Sequence, residues 1–448
     1  MPEVDVSRMP RSAGLPIRYL LALWLMVLSA VAYLDRTNIS IAGIEIAREF
    51  GIGNIRLGWI FSAFLIGYAG FQVPAGLLAR RLGSRRVLGL LGAWWGLFIT
   101  LTALVPRHIG NALAVLVMLR FALGAGEATM YPAASQFVER WFPMEERGKA
   151  NGFIFAGVGL GGMMPPVLTA IILRFGWRAS FGFSACVAAA AGLVWYIASR
   201  DTPEDHPWAG SAERAAIARG RSATKAAAGS GPRYACRGIP WAGILRSKTV
   251  CALTASYFSF GYVAWMFFAW LYIYMAQVRG LNLKTSAIYS VFPFLAMTVG
   301  CLLGGGVSDW VARRFGLRAG RCLIPGAALA LTAALLLLGS RAHGARSAAL
   351  LLALGAGVLY LAQSGFWAVS ADVAGQYTGI VSGIMNMGGQ VGGACTASLT
   401  PLIAAHFGWE ASFVVAALLA IAGALAWFAI DPRQALVPAE RGAPIQPA

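Results

Sequence analysis

Charge is what this sequence lacks. Of its 448 residues only 12% are Asp, Glu, Lys or Arg, where a soluble domain carries about a quarter. Acids are the scarcer sign, 18 against 36 bases, and there are only four histidines. No G-x-S-x-G or H-E-x-x-H occurs, so hydrolytic and zinc-dependent catalysis have no constellation to rest on, and the chain does not read as an enzyme. The six cysteines (186, 236, 251, 301, 322, 395) are scattered, with no C-x-x-C and no histidine at metal-ligand spacing. That excludes a disulfide framework or a zinc site, and no metal or cofactor is expected. The N-terminus also lacks a short apolar core followed by a small-residue cleavage site, so the first apolar run is expected to be retained.

What is present is apolar. Residues of the AVILMFWYC set make up 58% of the chain, gathered into Ala/Leu/Gly-rich runs of about twenty rather than ten-residue alternating strands. These lengths predict an all-α membrane protein. The spans read 19–44, 57–79, 87–105, 111–138, 150–173 and 179–199, then 249–277, 286–308, 322–340, 347–370, 378–404 and 411–430. Twelve spans put both termini on one side of the lipid bilayer. Lys and Arg number 25 in the segments on that side and 9 on the other, which predicts cytoplasmic termini in a bacterial inner membrane. The net charge of +18 is therefore topology and contact with anionic lipid, not affinity for nucleic acid.

Residues 200–248 are the one long polar stretch and read as a linker between an N-terminal bundle (1–199) and a C-terminal bundle with tail (249–448). The halves repeat. Gly148, Gly152, Gly161 and Gly162 match Gly379, Gly383, Gly392 and Gly393 at a constant offset of 231. One register further, Phe175-Gly176-Trp177-Arg178-Ala179-Ser180-Phe181 matches Phe407-Gly408-Trp409-Glu410-Ala411-Ser412-Phe413. Two parallel-related six-helix bundles, with a substrate site between them near the midplane, follow from such a repeat.

Against this background, four charges stand out. Asp35 and Arg36 interrupt the first span, and Arg120 and Glu127 the fourth. A helix from Tyr19 to Ile44 would be about 39 Å long, more than a hydrocarbon core of about 30 Å, so Asp35 and Arg36 lie within the membrane. Counting rise from the span ends puts Asp35, Arg36 and Arg120 at about one level, with Glu127 one layer, about 10 Å, nearer the cytoplasm. A cluster that merely ties the two spans together is the plainer alternative. Intramembrane ionisable groups, however, more often mark ion pathways or proton relays. Arginines facing a cavity suit a carboxylate, which the guanidinium fork grips bidentately.

Several stretches resemble the anion:cation symporter family of the major facilitator superfamily: YLDRTNISIA (33–42), RFALGAGEA in span four, RWFPMEERGKANG (140–152), GGVSDWVARRFG (305–316) and GIVSGIMNMGGQVGG (379–393). The resemblance covers both halves. It implies the major facilitator fold and proton-coupled uptake of a small organic anion, a sugar acid or aromatic carboxylate; a monomer is expected. Residue by residue, it implies proton-carrying roles for Asp35 and Glu127, carboxylate recognition by Arg36, and an Arg120–Asp35 pair between cycles. It further implies cavity positions for Tyr33, Tyr68, Ser364, Trp367 and Asn386, and gate motifs that begin at Gly76 and Gly305.

The chain departs from the family in two places. The gate acid four residues after the glycine is present in the second half, Gly305 to Asp309, but is Arg80 after Gly76. A central glutamine of span five is replaced by Gly157-Val158-Gly159, which favours a less hydroxylated or aromatic acid. Span five also carries Met164-Pro165-Pro166 where exporting antiporters have Gly-Pro, which counts against the alternative of an exporter of amphipathic compounds.

Restoring the gate acid tests the first departure. Arg80→Asp is expected to change the balance between the two open states, read as altered protease or thiol accessibility of the loop around residue 80. Unchanged accessibility together with unchanged transport would reduce Arg80 to a topology signal.

Overall fold

A computed structural model describes residues 16–218, 241–374 and 377–433. The expected chain ends and the middle of the expected linker lie outside the described residues. Helices dominate. The first half is α1 (Ile17–Phe50), α2 (Asn54–Leu82), α3 (Ser84–Ala103), α4 (Ala112–Trp141), α5 (Ala150–Phe175) and α6 (Trp177–Ala198). The second half is α7 (Lys248–Ala269, continued by Leu271–Gln277), α8 (Leu283–Phe315), α9 (Ala319–Arg341), α10 (Ala345–Ala374), α11 (Thr378–Phe407) and α12 (Trp409–Ala429). Eleven of these are long and apolar enough to cross a membrane. The twelfth, α11, is 30 residues long, but its glycines, Asn386 and Gln390 dilute its mean hydropathy.

Every expected span is present, most of them extended by a few residues. The extension has a local cause. Arg80 and Arg81 occupy the last turn of α2, and Arg313 and Arg314 that of α8, where cations oppose the partial negative charge of the helix end. Glycines in the left-handed region then turn the chain: Gly83, Gly176, Gly316 and Gly408, with φ of 82°, 83°, 95° and 84°, sit at equivalent helix junctions of the two halves. An L side chain is strained at such angles, and glycine is not.

The internal repeat extends further in space than in the sequence. In the α2–α4 seam, Gly67 lies under the Phe121 carbonyl and Gly124 under that of Phe64. In the α8–α10 seam, Gly300 lies under the Gly357 carbonyl and Gly357 against Ala296. Both pairs are related by an offset of 233, Gly67 to Gly300 and Gly124 to Gly357. Close backbone approach of this kind is how helices pack in lipid, where no hydrophobic force acts between them.

The basic loops, 80–86, 140–149, 200–218 and 313–321, share one end of the molecule, here termed the basic end. At the opposite end the halves are sealed together. Ser40 Oγ donates to the Ala269 carbonyl (2.7 Å), Ser62 Oγ to that of Ala394 (2.7 Å), and Asn54 Nδ2 to Gln277 Oε1 (3.0 Å). Phe61 meets Trp270 with ring centroids 5.4 Å apart.

The first part of the expected linker is not loose. The Glu213 carboxylate accepts the first backbone N–H groups of α1, Ile17 (3.2 Å) and Arg18 (3.1 Å), satisfying donors that have no intrahelical partner. Arg18 also bonds Glu146 (3.3 Å). His206 is buried between Trp141 and Trp208, with Nε2 2.8 Å from the Ala198 carbonyl, and burial holds its imidazole below the usual histidine range.

The seam predicts a stability effect. Gly124→Val drives a side chain into the Phe64 backbone and should cost roughly 1–3 kcal/mol, seen as a lower Tm in detergent. Gly182→Val, where a Cβ meets nothing within 4 Å, is the control and should stay near the parent. Equal behaviour of the two would remove the seam argument.

Candidate functional site

Between the halves lies a cavity of about 820 Å³, lined toward the basic end by Asn151, Gly152, Leu302, Gly305 and Ala371. Its deep wall contains Tyr33, Arg36 and Tyr68 from the first half, and Trp265 and Phe268 from the second. Ser364, Trp367 and Asn386 line the second-half wall. All five cavity positions implied by the resemblance thus face one space.

The four intramembrane charges are brought together and are at most 3% exposed. They form two pairs. Arg120 Nη1 donates to Asp35 Oδ2 at 2.7 Å, the expected partnership. Arg36 donates through Nε to Glu127 Oε1 at 2.8 Å and also through Nη2 to the same oxygen. Here the expected geometry is amended. Glu127 is not a separate acid one layer away, because the long Arg and Glu side chains bridge the axial distance that helical rise puts between their backbones. Arg36 is accordingly not a free cation in this state.

Local structure explains why Glu127 can reach. α4 relaxes into a turn at Ala128–Thr129, where Thr129 Oγ1 bonds the Gly126 carbonyl (2.8 Å), so Glu127 ends a helical segment within the membrane. Its second oxygen accepts from Trp95 Nε1 of α3 at 3.3 Å. Around the Arg36 guanidinium stand Tyr33 at 4.4 Å, Phe64 and Tyr68 at 5.1 Å and Trp265 at 5.3 Å to ring centroids. Aromatic faces stabilise a cation, the more so away from water.

The charges belong to one half only. By the offset of 233, Arg120 corresponds to Ala353 and Glu127 to Tyr360. The second half contributes uncharged groups: Gln363 Nε2 donates to Tyr257 OH (3.2 Å), while Ser364 Oγ and Gln390 Oε1 are buried without a hydrogen-bond partner. Unpartnered buried polar atoms are uncommon enough to call for an explanation.

Sequence reasoning missed three members of the site. Tyr131 lines the cavity, bonds Ser29 Oγ (3.0 Å) and stacks on Phe155 at 4.9 Å. It follows Glu127 by four residues, a same-face spacing that could have exposed it. Trp265 and Trp95 carry no such signal, since each meets the charges only through the packing of another helix.

The stretches expected to be gate motifs also differ between halves. Asp309 pairs with Arg321 (2.9 Å), which reaches Asp372 as well (3.2 Å). Arg80 is exposed and makes no ion pair with a described residue, while the Gly76 carbonyl accepts from Gln136 Nε2 at 3.4 Å. In place of a gate pair, Asp201 closes on the α2–α3 junction, accepting the Arg85 backbone N–H at 2.9 Å.

Comparison with known proteins agrees with this architecture. A bacterial homolog of the human lysosomal transporter Spinster, in an inward-facing and occupied conformation, superposes with a TM-score of 0.73 over 93% of this chain and 97% of that one, at 16% identity. A probable sulfoacetate transporter of Cupriavidus necator is 32% identical over 409 residues, 90% of this chain and 91% of the relative. A probable L-galactonate transporter of Escherichia coli is 27% identical over 428 residues, 92% of this chain and 90% of the relative. The family profile described as Major Facilitator Superfamily matches residues 25–397. With that profile spanning most of its length and a relative at 32% identity nearly end to end, this chain belongs to the Major Facilitator Superfamily of membrane transporters.

Proposed function

We propose that this transporter takes up a small organic acid anion together with protons, by alternating access, as a monomer in a bacterial inner membrane. The observation that carries the reading is Arg36. Among the described residues it is the one charged side chain lining the 820 Å³ cavity, and a carboxylate of the protein's own, Glu127, already occupies its planar fork. A guanidinium that holds one carboxylate through two N–H groups can hold another. Relatives named as probable sulfoacetate and L-galactonate transporters support an anion as cargo. The distribution of Lys and Arg supports a cytoplasmic basic end, on which the cavity faces inward.

Proton coupling follows from competition for Arg36. When the anion takes the guanidinium, an ionised Glu127 is left in an apolar surround with the Trp95 ring N–H as its remaining donor. Burying such a charge uncompensated is costly, and a proton on Glu127 removes the cost. Anion binding and protonation therefore favour one another, and the coupling is reciprocal. Asp35 and Arg120 form a second pair that a proton on Asp35 opens. In the proposed cycle both acids load protons from outside, the anion binds Arg36, and the halves rock about the central site. After release inside, the acids give up their protons and the two internal pairs re-form, resetting the empty carrier.

Two variants test the roles. Arg36→Lys keeps the charge but loses the fork, and uptake should fall roughly tenfold or more. Near-normal uptake with unchanged half-saturation would remove Arg36 from recognition. Glu127→Gln mimics a permanently protonated acid: binding should persist and lose its pH dependence, and exchange of labelled for unlabelled substrate should continue. Net uptake driven by a pH gradient should fail, because the empty carrier has no proton to release from this site. Equal loss of exchange and net uptake would mark Glu127 as structural.

A further inference from the structure

We infer that the cargo is a monoanion with a flat apolar body and an uncharged hydrogen-bonding group at the end away from its acid. The inference rests on the anion-carrier reading and narrows its substrate class. Three observations carry it. First, among the described residues the cavity offers one cation, Arg36. Arg120 does not line it; Arg120 borders a chamber of about 20 Å³, shared with Arg36 beneath the sealed end, and is held by Asp35. A second carboxylate in the large cavity would be desolvated with no partner, which is strongly unfavourable.

Second, the walls between the charged and uncharged poles carry aromatic rings. Tyr33 and Trp265 stand over Arg36, and toward the basic end Tyr131 stacks on Phe155, which meets Trp367 at 6.1 Å. Such rings suit an apolar or aromatic body.

Third, polar atoms without partners lie on the second half. Ser364 Oγ and Gln390 Oε1 are buried and unpartnered, and both side chains line the cavity. At 1.5 Å per residue, Arg36 is about 28 Å from the basic end of α1 and Ser364 about 15 Å from that of α10. Ser364 is thus nearer the mouth, beside Gly305, whose added Cβ would sit 3.9 Å from its own. An acid gripped deep in the cavity presents its far end there. A hydroxyl satisfies the serine; a carboxylate finds no cation.

The test uses the purified full chain in nanodiscs at neutral pH, with binding measured by thermal shift and titration calorimetry. The ligands are benzoate, para-hydroxybenzoate, terephthalate and galactonate. Para-hydroxybenzoate should bind tightest, benzoate about tenfold more weakly, and terephthalate at least about tenfold more weakly again. Ser364→Ala should bring benzoate and para-hydroxybenzoate together while terephthalate stays excluded. Terephthalate binding as tightly as para-hydroxybenzoate, or a hydroxyl preference unmoved by Ser364→Ala, overturns the inference. Binding of galactonate without the aromatic acids overturns it too, and leaves the anion-carrier reading standing. If none of the four acids binds the parent protein, the inference falls, and the same titration with sulfoacetate decides whether the anion-carrier reading stands.

Discussion

The structure depends on one constraint: four charges must be held in a membrane interior without an unpaired one among them. Arg36 with Glu127, and Arg120 with Asp35, meet it by pairing between α1 and α4. Such pairs add little net stability, since desolvation cancels most of their attraction, but breaking one by removing a partner is severe. That asymmetry makes them suited to a switch. A partner can be replaced by a proton or by a foreign anion at small net cost, and by nothing else. In the proposed cycle this is how cargo and protons are tied together, with no second site required.

The two halves repeat in backbone and diverge in chemistry. Equivalent glycines turn the helix junctions and close the α2–α4 and α8–α10 seams. Yet the buried charges lie in the first half, and the second supplies rings, amides and hydroxyls. A symmetric frame can rock as two rigid bodies, while the unlike walls let the cargo have one orientation between them. The seal at the end away from the basic loops is made by serine hydroxyls on backbone carbonyls, Ser40 to Ala269 and Ser62 to Ala394. Single neutral hydrogen bonds of this kind contribute about 1 kcal/mol each, weak enough to exchange when the halves move.

At the basic end the first half is stiffened from outside its helices. Glu213 caps α1, Asp201 caps α3, and the Trp141 ring N–H bonds the Arg200 carbonyl at 3.1 Å. Residues that read as a polar linker therefore act in part as a clamp on the helix starts. The second half uses a surface network instead, Asp309 and Asp372 on Arg321, whose exposure keeps its contribution small. Arg80 fits this division: it lies exposed at the end of α2, and Asp201 caps the junction that follows it.

Twelve long helices, their order and the internal repeat were legible in the sequence, because each is a local property. Apolar length sets a span, and glycines at a constant offset reveal a duplication. The charges were also recognisable as a candidate site, since ionisable groups are costly in lipid. Which acid takes which base was not legible in full. The Asp35–Arg120 pair came from the family resemblance, whereas Arg36–Glu127 depends on how far two long side chains reach across neighbouring helices and on where α4 unwinds after Glu127. Trp95 behind Glu127 and Trp265 over Arg36 were invisible for the same reason: they approach the charges from α3 and α7, and no spacing within one chain segment encodes contacts between separate helices. Tertiary packing alone decided that Arg36 is, among the described residues, the one cation in the cavity wall and that Arg120, equally buried, stands behind it.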